Sequence, residues 1–120
     1  MCYNLVKNDR RKILEALELA RHAVNAAEDK QAGNIVLLDV HEVSSFADYF
    51  VICSGESGRQ IRSIIDEIEH TLKQQGVMPH HHEGGTDSGW MLLDYTDVII
   101  HVFSADEREY YKLDELWQGA

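Results

Sequence analysis

Apolar residues recur early in the chain at Ile13, Leu17, Ala20 and Val24, the spacing of one helical face. This predicts a first helix over about Asp9 to Asp29 with Asp9 as its N-cap. After Gly33 and Asn34 the pattern changes. Ile35-Val-Leu-Leu-Asp-Val40 is too short and too β-branched for a helix and reads as a buried strand, with Tyr49-Phe-Val-Ile-Cys53 as a second. Ser54-Gly-Glu-Ser57 turns the chain into a second helix. Ser57 and Gln60 have the spacing of a capping box, Ile61, Ile64, Ile65, Ile68 and Leu72 define one narrow apolar face, and Gly76 supplies a left-handed stop. A third strand around Val77 to His82 is expected to run parallel to the second, because strand, helix and strand normally form a right-handed crossover. Pro79 cannot donate to a ladder and puts that strand at a sheet edge. Glu83 to Gly89 reads as a loop from its Gly, Thr, Asp and Ser content.

Trp90-Met-Leu-Leu-Asp94 and Val98-Ile-Ile-His-Val-Phe103, joined at Tyr95-Thr96, predict a hairpin. A two-residue and a four-residue loop both set Leu93 opposite Val98. One face of the hairpin then carries Met91, Leu93, Val98, Ile100 and Val102, wholly apolar and suited to lie beneath helices. The other carries Trp90, Leu92, Asp94, Asp97, Ile99, His101 and Phe103, a mixed set. Ser104-Ala-Asp-Glu107 has capping-box spacing and opens a short closing helix, in which Tyr110, Leu113 and Trp117 form a stripe able to pack back on the sheet. The expected architecture is a single α/β domain over residues 1–120. It has a mixed sheet of about five strands and about three helices mainly on one face, which leaves the other face to a partner.

Length agrees with one domain, since 120 residues suit a single core. A content of 44% hydrophobic and 27% charged residues with one proline is globular usage. The longest apolar runs, Ile35 to Leu38 and Val98 to Ile100, fall far short of the roughly 18 residues of a membrane span, so no membrane is expected. Met1 leads into Cys2, Tyr3 and Asn4 without the basic start and apolar core of a secretory signal, and a cytoplasmic location follows as the expectation. Cys53 reads as buried and inert, and Cys2 as incidental. Eleven basic residues against twenty-one acidic ones give a formal charge of −10. Such a field disfavours direct, stable binding to nucleic acid and favours a basic protein partner.

Enzymatic chemistry finds little support. His80-His81-His82 with Glu83 suggests a metal, but on a strand only His80 and His82 share a face, with His101 as a third candidate, and an exposed polar edge explains the run. Ser54-Gly55 in a turn between strand and helix suggests a phosphate cradle of the kind a nucleotidyltransferase-type enzyme uses. That chemistry also needs closely spaced acidic metal ligands, whereas Asp39 and Asp48 stand alone on their strands. No catalytic residues, metal or cofactor are assigned. Docking is better supported. From Gly89 to Trp117 seven acids face only Arg108 and Lys112, and the same stretch holds both tryptophans and three of five tyrosines. Aromatic anchors rimmed by charge make interface hot spots, although Trp90 and Trp117 fit core positions equally well.

Asp48-Tyr-Phe-Val-Ile52, Ser54-Gly55, Arg59-Gln60 and Glu83-Gly84, then Gly89-Trp-Met-Leu-Leu-Asp94, Asp97-Val-Ile-Ile-His101-Val-Phe103, Arg108-Glu-Tyr-Tyr111-Lys-Leu113 and Leu116-Trp117, resemble the ribosomal silencing factor family, also called the Iojap family. The likeness covers Asn34 to Trp117, which leaves residues 1–33 as an N-terminal helical segment before a family core at 34–117. The chain departs from the family at Thr96, where a glycine is common in the hairpin turn. It departs again at Asp114-Glu115, where the second position is variable and often basic. The resemblance implies a nucleotidyltransferase-like α/β fold without transferase activity. It implies binding to large-subunit ribosomal protein fourteen at the subunit interface, which sterically blocks subunit joining and represses translation. A part in large-subunit assembly and self-association of the free protein, as a homodimer, are implied as well. The partner-binding residues carried over by position are Trp90, Asp94, Asp97, His101, Tyr111, Leu113 and Trp117. Asp94 and Asp97 are expected to meet basic side chains, while Trp90 and His101 supply contact area.

Overall fold

In the computed structural model, residues 2–42, 44, 47–85 and 89–106 are described, residues 2–15 as backbone. The chain runs α1 (Cys2–Asp29), β1 (Gly33–Asp39), β2 (Tyr49–Gly55), α2 (Gly58–Gln74), β3 (His81–Gly85), β4 (Trp90–Asp94) and β5 (Val98–Ser104). The five strands form one sheet in the order β1-β2-β5-β4-β3. β2 and β5 are parallel, and the other neighbours are antiparallel. β3 therefore runs in the same direction as β2, as the crossover through α2 requires, with β5 and β4 between them. β3 closes one edge of the sheet, and Pro79 stands just ahead of it.

Burial sorts the strands. β2 and β5 are central and buried along almost their whole length, which suits their β-branched and aromatic content. β1 was expected to be buried but is the opposite edge, with Leu37 at 36% exposure. Its apolar run therefore covers the margins of both clusters, Ile35 on the helix side and Leu38 on the other, without being fully buried.

α1 begins at Cys2, so Asp9 lies within the helix and is not its N-cap. Ala16, Ala20, Ala23, Ala26 and Ala27 are buried, and their small side chains bring α1 close to the sheet and to α2. On α2, Ile61, Ile64, Ile65, Ile68 and Leu72 are all buried, the narrow face expected from the sequence. Burying each contributes about 1.5–3 kcal/mol. Ser57 caps α2 by accepting the Gln60 amide at 3.1 Å, while the Gln60 side chain accepts the Glu56 amide and donates to the carbonyls of Lys30 and Gln31. Gln60, the partner of the cap, thus also ties the start of α2 to the end of α1.

β3 spans His81–Gly85, later than the expected Val77 to His82, so Glu83, Gly84 and Gly85 belong to a strand and not to the loop. Gly84 has φ +84°, and a Cβ there would sit 2.1 Å from the Trp90 carbonyl oxygen, so only glycine lets β3 lie against β4 at that point. The predicted closing helix shows its first residues, Ala105 and Asp106, in helical conformation, and the rest lies outside the described residues.

Candidate functional site

The hairpin separates the two sides of the sheet. Leu93 pairs with Ile100 and Asp94 with Ile99, so the expected pairing of Leu93 with Val98 is off by two residues. A shift of two leaves every strand side chain on its predicted side, because the strand period is two, whereas Asp97, expected on the mixed face, lies in the turn beside a helix-side cleft. Met91, Leu93, Val98, Ile100 and Val102 join the core beneath α1 and α2. Phe50, Ile52, Ile99 and Phe103 form a second cluster on the other side with Val40 and Ala47, and Leu38, Trp90 and Leu92 pack against it.

The turn explains the longer connection. Tyr95 N donates to the Val98 carbonyl, Asp97 N donates to the Tyr95 carbonyl, and Thr96 between them has φ +75°. This is a γ-turn in the strained, positive-φ form. Asp94 supports it by accepting the Thr96 amide at 2.7 Å. The Asp94 carboxylate is therefore partly engaged inside the turn.

Trp90, His101 and Phe103 stack in a layer on the second face. Ring centroids lie 5.5 Å apart for Trp90 and Phe103 and 6.0 Å for both Trp90–His101 and His101–Phe103, while Phe50 meets His101 edge-to-face at 5.2 Å. The Trp90 indole N–H donates to His101 Nδ1 at 3.3 Å. An indole nitrogen only donates, so Nδ1 is the bare acceptor and the imidazole proton sits on Nε2. That Nε2 is buried and has no hydrogen-bond partner among the described residues. Burial holds the imidazole pKa down at about 4, so His101 is neutral near pH 7. At 6% exposure His101 cannot supply the contact area expected of it. It orients Trp90, which is half-buried and carries the accessible edge of the cluster.

Of the other expected site residues, Asp94 shares this face two strand positions from Leu92, the neighbour of His101 across the pair. Asp97 lies in the turn. Its carbonyl accepts the amides of Asp48 and Tyr49, and the residue lines a cleft of about 590 Å³ that also takes in Ala16, His22, Leu72 and Met78. The structure thus brings Trp90 and His101 together, places Asp94 nearby and sets Asp97 at the hairpin end. Tyr111, Leu113 and Trp117 lie outside the described residues. Phe50 and Phe103 complete the cluster without having been singled out. Strand alternation alone places Phe103 beside Trp90, whereas Phe50 arrives only through the parallel pairing of β2 with β5, which no local pattern shows.

The Ser54-Gly55 segment is the end of β2 rather than a turn. Ser54 Oγ donates to the Gly33 carbonyl at 3.2 Å, and a Cβ at Gly55 would lie 2.9 Å from Ile61. The amides of Glu56 and Gln60 at the helix start already have side-chain partners. His81 Nε2 lies 3.0 Å from Glu83 Oε1 at the exposed edge. His82 pairs with Leu93 and so faces away from His101, and the run lies on an exposed edge, as expected from the sequence. Among the described residues no group of three or more His, Cys, Asp or Glu is placed to hold a metal, and no helix is long and apolar enough to cross a membrane.

A five-stranded mixed sheet with both described helices on one side and an aromatic cluster on the other defines a two-layer α/β domain whose second face is built around oriented aromatic rings. Comparison with known proteins gives this class its family. The chain belongs to the family described as "Ribosomal silencing factor during starvation", whose model matches residues 13–120. It is 42% identical over 103 residues to the Ribosomal silencing factor RsfS of Halalkalibacterium halodurans, covering 86% of this chain and 88% of that one. A crystal structure of a Chromobacterium violaceum protein superposes with a TM-score of 0.82 at 30% identity, covering 88% of each chain. A more distant mouse relative, 27% identical over 97 residues that span 78% of this chain and 42% of its own length, is named "Mitochondrial assembly of ribosomal large subunit protein 1".

Proposed function

We propose that this protein silences ribosomes by docking on the large subunit through ribosomal protein fourteen at the subunit interface. It excludes the small subunit sterically and so represses translation in the cytoplasm. No bond is made or broken, and the nucleotidyltransferase-like arrangement implied by the resemblance serves as a scaffold without a transferase step. Homodimerisation of the free protein and a part in large-subunit assembly belong to the same reading. The observation that supports it best is the Trp90 indole, held flat against Phe103 by its hydrogen bond to buried His101, with Asp94 on the same face. A rigid, half-buried tryptophan rimmed by acid suits a basic protein surface. Asp97, Tyr111, Leu113 and Trp117 extend this contact in the proposal.

The test is co-sedimentation with purified large subunits together with a subunit-joining assay. The protein is expected to sediment with large subunits and to reduce joining. Trp90→Ala is expected to weaken binding by about 2 kcal/mol, roughly 30-fold, while the variant still unfolds cooperatively. Retention of full affinity by that variant would remove Trp90 from the interface.

A further inference from the structure

The formal charge of −10 conceals two regions of opposite sign. Residues 1–12 hold Lys7, Arg10, Arg11 and Lys12 against Asp9, a net of +3, so residues 13–120 carry −13. The division falls where the family model begins, at residue 13. α1 is one continuous helix across it, from Cys2 to Asp29, and the buried alanines that fix α1 to the sheet run from Ala16 to Ala27. Lys7 stands nine residues before Ala16, about 14 Å along the axis at about 1.5 Å per residue. That exceeds the screening length of about 8 Å at physiological salt, so acids further along α1 screen Lys7 only weakly, while Glu15, one turn from Arg11 and Lys12, offsets one charge and leaves residues 7–15 with a net of +2. Lys7, Arg10 and Arg11 are spaced i, i+3 and i+4, which groups them along one line of the helix.

We infer that the N-terminal arm of α1, which leaves the domain at its hairpin-turn end where Ala16 shares a cleft with Tyr95, Thr96 and Asp97, is a second contact that grips the phosphate backbone of RNA. This rests on the proposed docking to the large subunit, where RNA is the densest anion within reach. Two adjacent arginines favour phosphate, because the guanidinium fork binds its oxygens in pairs. Charge density favours RNA over the acids of a second copy, since those are spread over a whole protein surface, whereas a nucleic-acid duplex bears a charge about every 1.7 Å of its axis. The acidic core repels RNA while the basic arm attracts it. Contact with RNA is thereby confined to the arm, and the hairpin face is left for protein.

The test compares the full chain with Lys7→Gln/Arg10→Gln/Arg11→Gln, which keeps good helix formers, by titrating purified large subunits between about 0.05 and 0.2 M salt. The variant is expected to bind at least about 10-fold more weakly at the low-salt end, with the slope of log K against log salt shallower by about 3 and an unchanged melting temperature. An unchanged slope would overturn the inference, and so would a variant that loses only self-association, because the arm would then bind a second copy. If the unaltered protein fails to bind subunits, the docking reading falls by itself. A short RNA duplex then decides the arm: salt-sensitive binding lost in the triple variant upholds the inference, and no binding ends it.

Discussion

Beneath the helices, Val51, Leu93, Val98, Ile100 and Val102 are fully buried against the isoleucines of α2, a packing that asks only for volume and apolarity. On the reverse of the same strands, Phe50, His101, Phe103 and Trp90 carry ring edges and nitrogens with fixed directions. Neighbouring residues on one strand thus serve two kinds of cohesion. The first is non-directional and measured in stability. The second is directional, depends on a proton at one imidazole nitrogen, and shapes a surface that a partner can read.

The largest effect that would break this contrast lies on the helix side. Leu93→Ala is expected to destabilise the fold by about 3 kcal/mol in urea titration while leaving large-subunit affinity, corrected for the folded fraction, unchanged. A matching loss of affinity would mean that the two faces are mechanically coupled.

Acid should single out the other face. Folded His101 titrates near 4 and the unfolded side chain near 6.5. Between those values the unfolded chain binds the extra proton, so stability falls as pH drops from about 6.5 to about 4 and levels off below. The loss is up to about 3 kcal/mol at about 1.4 kcal/mol per pH unit. Protonation of Nδ1 would also remove the acceptor of the Trp90 indole. His101→Asn, which can still offer an acceptor near Nδ1, is expected to flatten this part of the pH–stability profile while preserving docking. An unchanged profile would show that another group sets the acid limit.

The smallest effect tests the turn that joins the faces. Thr96→Gly is expected to raise the melting temperature through a gain of about 1 kcal/mol, because a β-branched residue is strained at φ +75°. A fall in melting temperature would mean that the Thr96 side chain makes a compensating contact.

Much of this contrast is legible in residue order. The helical face of α2, its Ser57 cap, the parallel crossover, the edge position marked by Pro79 and the sorting of hairpin residues into two sets all rest on short-range periodicity, which survives errors of register by two. Other features have no local signature. Asp9 has a capping residue type but sits inside a helix that continues past it. The glycines of Glu83 to Gly85 look like a loop because nothing local shows that β4 approaches too closely for any side chain. His101 looks like a surface contact until burial is known.

Periodicity, chain length and the motif residues were enough to determine the α/β class, the two-sided hairpin and the family, since each depends on near neighbours or on residue identity. Only the tertiary structure decided that β5 and β4 lie between β2 and β3, that Phe50 reaches His101, and that the histidine is buried and accepts the tryptophan's hydrogen bond. Those facts depend on which strands meet across long sequence separations. There, the competition between burying a polar ring and pairing it is settled by neighbours that the local sequence does not name.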